Sequence, residues 1–66
     1  MVSNFGRNVN IKRQRLGLTQ AQLAEKASIA QSAVSRIEAG DMNNPTLAIM
    51  TSLAKALHCD IPALLA

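Results

Sequence analysis

Four polar side chains, Gln31, Ser32, Ser35 and Arg36, are spaced so that they share one side of a helix. At about 100° per residue they span an arc of roughly 140°, while Ala33, Val34 and Ile37 fall opposite them. A glutamine can pair bidentately with adenine and an arginine with guanine in a major groove, and a short hydroxyl can reach a base edge or a phosphate. An exposed helix face that merely dissolves is commonly a mixture of Glu and Lys. This one carries no acidic residue, which favours base and phosphate chemistry over a solvated face. No other constellation competes with it. The chain has one histidine, no glycine-rich phosphate loop, and neither a Ser/His/Asp set nor paired carboxylates, so no catalytic residue, no cofactor and no enzyme activity are expected. His58 and Cys59 are adjacent, but two neighbouring ligands without a distant partner do not make a tetrahedral metal set.

The elements that position this face are readable from their ends. Thr19 precedes an apolar-periodic run and Gln22 follows three residues later, the spacing of a capping box, with Leu18 and Leu23 flanking it as a hydrophobic staple. A helix is expected from Gln20 to about Ala27, then a tight turn, then the helix that bears the polar face. Leu23 and Ala24 point inward, and Ala24 is small where the two helices must approach. Upstream, a helix is expected from near Asn4 to Leu16, capped by Ser3 or Asn4 and stopped by Gly17, with Phe5, Val9, Lys12, Arg13 and Leu16 on its inner side. The stem of Lys12 can be buried there while its head stays wet. Downstream, residues 40–44 form a loop, Asn44-Pro45-Thr46 open a helix over Leu47 to Leu57, and Thr46 caps it. His58 falls where a helix ends in the left-handed conformation, Cys59 turns inward as a small hydrophobe, and Asp60 caps a last short helix containing Pro62, Leu64 and Leu65.

Two short helices joined by a tight turn, the second with a bare polar face, describe a helix-turn-helix. Leu18-Thr-Gln-x-x-Leu-Ala-x-Lys-Ala27, Ile29, Val34-Ser-x-Ile-Glu-x-Gly40, Asn44-Pro-Thr-Leu47 and Leu53-Ala-Lys-Ala-Leu57 follow in order. This pattern resembles the helix-turn-helix domain of the lambdoid phage repressor and Cro family from about Val9 to Leu65. The resemblance implies an all-α, five-helix, lambda-repressor-like fold over residues 1–66, which binds operator double-stranded DNA in the major groove as a homodimer. It also implies that Arg13 pairs with Glu38 as a structural ion pair. Gln20 would contact phosphate from a helix N-terminus, Gln31, Ser32 and Arg36 would read bases, and Ser35 would reach base or backbone. Asn43 and Asn44 would bond phosphates from the loop, where relatives often carry basic residues and this chain carries Asp41. Two positions depart from the pattern. Ser28 stands where a turn glycine is usual, so the turn is expected to be strained or slightly rearranged, and Ala30 stands where a Ser or Thr cap is common, a loss that costs roughly 1 kcal/mol.

Composition sets the remaining bounds. Sixty-six residues, 48% apolar with Phe5 the only ring, suffice for one core built from Leu, Ile, Val, Ala and Met. Residues 1–36 carry a net charge of +5 and residues 37–66 carry −2, giving +3 overall with the excess where the helix-turn-helix lies. Such a field favours a polyanion. A lone Cys59 fits a reducing compartment, nothing approaches a membrane span, and no signal peptide is evident, so a cytoplasmic protein is expected. Ile61, Pro62, Ala63, Leu64, Leu65 and Ala66 are more apolar residues than one short helix can bury. Leu64 or Leu65 should close the core, and Ile61, Pro62, Leu64 and Leu65 are the expected surface for a second copy. The reading is a sequence-specific transcriptional regulator, a repressor binding a palindromic operator. An antitoxin with a toxin docked elsewhere, or a protein-interaction module that keeps only the fold, would leave the same pattern.

Overall fold

The computed structural model describes residues 3–42 and 45–66, which form five helices and no strand. They are α1 Ser3–Arg15, α2 Gln20–Ala27, α3 Gln31–Glu38, α4 Leu47–Ala56 and α5 Ile61–Leu65. The starts of three helices are fixed by side chains. Thr19 Oγ1 accepts from the Gln22 amide at 3.0 Å while Gln22 Oε1 accepts from the Thr19 amide at 2.8 Å, a complete capping box. Thr46 Oγ1 accepts from the Ile49 amide at 3.2 Å, and Asp60 Oδ1 from the Ala63 amide at 3.1 Å. Ala30 precedes α3 with no side-chain cap.

The ends of α1 to α4 share one device. In each, a residue at positive φ follows the helix and two backbone bonds close back over the last turn, the pattern of a Schellman motif. Gly17 at φ +72° donates to Gln14 at 3.0 Å while Leu18 donates to Arg13 at 3.1 Å. Gly40 at φ +80° donates to Ile37 at 3.1 Å while Asp41 donates to Arg36 at 2.9 Å. Ser28 and His58 hold the same place at φ 57° and 58°, and Ile29 and Cys59 close the motifs onto Ala24 and Ala54. The turn between α2 and α3 is thus not rearranged by the missing glycine. Ser28 takes the left-handed conformation, which costs an L-residue roughly 1–2 kcal/mol.

Where α1 lies differs from expectation at both ends. Ser3 and Asn4 are already helical, so neither caps it, and the helix closes at Arg15. Leu16 therefore leaves the inner face, since the helical period no longer carries it there, and it is 45% exposed. Phe5 and Val9 of α1, Leu23 of α2, Val34 and Ile37 of α3, Leu53 of α4 and Leu64 of α5 make the buried centre. Ala24, Ala27, Ala54 and Ala56 fill the narrow places between them. Helix α1 packs on both α3 and α5, and α2 packs on α3 and α4. The polar-faced helix is held between α1 and α2.

Candidate nucleic-acid interface

The amphipathic division of α3 is realised as its spacing implies. Val34 and Ile37 are buried, Ala33 is half-buried, and Gln31, Ser32, Ser35 and Arg36 are all exposed. Among the described residues the sole ion pair is Arg13 with Glu38, so the Arg36 guanidinium has no carboxylate partner there. An amide, two hydroxyls and a guanidinium therefore stand on one open helical face without competing bonds to an acid.

What holds this face is a knot at the far end of α3. Glu38 Oε2 accepts from Arg13 Nε at 2.7 Å, and its Oε1 accepts from Asn10 Nδ2 at 2.7 Å, Gln20 Nε2 at 3.0 Å and an Arg13 terminal nitrogen at 3.1 Å. Arg13 also donates to the Leu18 carbonyl at 2.7 Å. The Glu38 side chain is 4% exposed and that of Arg13 14%, so the bidentate pair lies largely out of water. Burial acts to raise the Glu38 pKa, but the bonds from Arg13, Gln20 and Asn10 and the guanidinium charge outweigh it, and the carboxyl lies below its ordinary value of 4.5. One carboxylate thus ties α1, α2 and α3 together.

Gln20 must be reassigned in part. Its side chain is half-buried and donates to Glu38, because the first residue of α2 faces the end of α3. Only the second amide hydrogen and the backbone remain for a phosphate. Asn43 and Asn44 lie outside the described residues. At α5, Leu64 is fully buried in the core and offers nothing to a second copy, which corrects its place in the expected docking surface. Ile61 is half-buried against the core, Pro62 is exposed and Leu65 is 45% exposed.

Two asparagines were not singled out from the sequence. Asn10 lies three residues before Arg13 on the same side of α1, a spacing that could have marked it as a second donor to the same acceptor. Asn8 donates to the Leu64 carbonyl at 2.9 Å across 56 residues of chain, and no local signal announces such a bond. Among the described residues there is no cluster of three metal-ligating side chains, and no helix is long and apolar enough to cross a membrane.

Comparison with known proteins places residues 10–64 under the model of a family described as helix-turn-helix. The chain is 38% identical over 58 residues to the competence pilus inhibition repressor of Acinetobacter baylyi, a match covering 88% of this chain and 52% of that one. It thus spans about half the length of that curated relative. Among solved structures it is similar to the restriction-modification controller protein C.AhdI of Aeromonas hydrophila, with 30% identity, a TM-score of 0.88, and 96% and 94% of the two chains covered. It is also similar to SinR, the master regulator for biofilm formation, solved in complex with DNA: 29% identity, a TM-score of 0.90, and 94% and 98% covered. SinR in its complex with SinI gives a TM-score of 0.89 at 30% identity, with 92% of this chain and 59% of that one covered.

Proposed function

We infer from membership of the helix-turn-helix family, to which the chain belongs, that it is a DNA-binding transcriptional regulator, and we propose that it represses from an approximately palindromic operator as a homodimer. The observation that carries this reading is the open face of α3, where Gln31, Ser32, Ser35 and Arg36 stand free of acidic partners on a helix locked from behind. SinR, solved in complex with DNA and similar over nearly the whole of this chain, supports DNA binding. Gln31, Ser32 and Arg36 then read base edges, and Ser35 contacts base or backbone. The two first backbone amides of α2 and the free hydrogen of Gln20 face a phosphate. Asn43 and Asn44 serve the flanking backbone from the loop.

Pro62, Leu65 and the outer edge of Ile61 form the surface for the second copy. Selection of bound sequences from a random duplex library, followed by native mass measurement on the best site, tests the whole reading. Two inverted half-sites and a two-to-one complex are expected. A single asymmetric half-site with a one-to-one complex removes the dimer, and no enrichment removes sequence-specific binding. The SinR–SinI complex supports one further role, binding of a protein partner.

A further inference from the structure

Gly6 sits inside α1, where a glycine weakens a helix and nothing about its backbone requires one. Its use is space. A Cβ built there overlaps the carbonyl oxygen of Ile37, stands 3.0 Å from the Ile37 carbonyl carbon and lies 3.6 Å from Glu38 Cα. All three atoms are backbone at the last turn of α3, so no side chain can swing aside to make room. The Ile37 carbonyl is one of those a helix leaves without an intrahelical partner at its C-terminus, and Gly40 donates to it at 3.1 Å. The Gly6 hydrogen in the Cβ position points at the same oxygen, a weak C–H···O contact that only a bare Cα permits.

We propose that Gly6 is a positioning residue for DNA reading: it sets how deeply the C-terminal end of α3 seats against α1, and through that the pitch of the face bearing Gln31, Ser32, Ser35 and Arg36. The inference rests on the DNA-reading role proposed above. Gly6 lies outside residues 10–64, the part that matches the family. A methyl group here drives the Ile37 carbonyl outward by on the order of 1 Å, as van der Waals separation demands. Ile37 is buried and Glu38 carries the knot to Asn10, Arg13 and Gln20, so the end of α3 cannot move alone. Displacement of that end tilts the whole helix. Its exposed groups then miss base edges whose hydrogen bonds are directional, while phosphate contacts, which depend mainly on charge, persist.

The test is Gly6→Ala, made in the native chain and in a Ser28→Gly chain that relieves left-handed strain and so offsets lost stability. Affinity is measured on the selected operator and on random duplex at one salt concentration. An unfolded fraction lowers both apparent affinities by the same factor and cancels in their ratio. The ratio is expected to fall by about tenfold or more, the scale of one good base contact, with random-duplex affinity held within a factor of about two. The amide resonance of Gly40 should shift, since the carbonyl it bonds has moved. An unchanged ratio, or equal loss on both duplexes including complete failure to bind, assigns Gly6 to the fold alone and overturns the proposal. A native chain that selects no sequence overturns the DNA-reading role itself, which is a different outcome from an unchanged ratio in a chain that does select.

Discussion

Arg36 and Arg13 carry the same charge and face opposite fates. Arg36 is exposed with no ion-pair partner among the described residues, whereas Arg13 is bound bidentately to Glu38 and also to the Leu18 carbonyl. Arg36→Ala should therefore leave the thermal midpoint nearly unchanged, relax preference at one base pair and cost roughly 1–3 kcal/mol on the best site. Equal loss on specific and random duplexes would reassign it to the phosphate backbone. Arg13→Ala should instead lower stability by about 3 kcal/mol, because it leaves a carboxylate unpaired and out of water. Chemical denaturation of the two variants side by side separates these roles. Glu38 adds a pH signature. Its pKa is lowered on folding, so the stabilisation it gives is complete above the unfolded value near 4.5 and is lost as pH falls through the lower, folded value. The native chain should lose stability on acidification through that range, and Glu38→Gln, already weaker at neutral pH, should lose less. Identical pH profiles for the two would sink the assignment.

Helix ends were the most legible part of the sequence. Thr19 with Gln22, Thr46, Asp60 and the left-handed place of His58 were all readable, because each is a local bond between residues at fixed offsets. The face of α3 was readable for a similar reason, since period alone divides it. What local signals missed were contacts set by the packing of distant segments. Gln20 turned toward Glu38, Asn8 reached Leu64 and Gly6 met Ile37, and none of these is a matter of spacing along one helix. The two departures in the turn yield predictions at this scale. Ser28→Gly should raise stability by about 1 kcal/mol, or roughly 4–8 °C in a domain of this size, by removing left-handed strain. Ala30→Ser should add about 1 kcal/mol by capping the bare start of α3. A thermal midpoint that does not rise in either variant would show that the turn is already relaxed.

At the scale of the whole molecule, α1 is the common wall. It packs on α3 on one side and on α5 on the other, so the reading face and the apolar edge at Pro62 and Leu65 are joined by one rigid helix. If a second copy sits on that edge, the two reading helices are held about 34 Å apart and half-sites should repeat at roughly 10 bp. Changing Leu65 to a charged residue such as Glu should then weaken operator binding cooperatively while sparing binding to an isolated half-site. Equal effects on both would place Leu65 outside the interface. The excess positive charge of residues 1–36 predicts that all binding weakens as salt rises.

Cys59 offers a clock for the same assembly. Its amide closes α4 onto Ala54 at 2.9 Å, its side chain is half-buried against the core, and burial and the Asp60 carboxylate raise its thiol pKa against the opposing pull of Lys12. Partial burial and the raised pKa should slow alkylation of this thiol, and any lifting of the corner between α4 and α5 should speed it. The labelling rate then reports how accessible this corner is. A partner copy clamped on α5 would slow that rate, so the half-time for labelling, followed with and without operator duplex, reads out in minutes whether DNA closes this corner of the molecule.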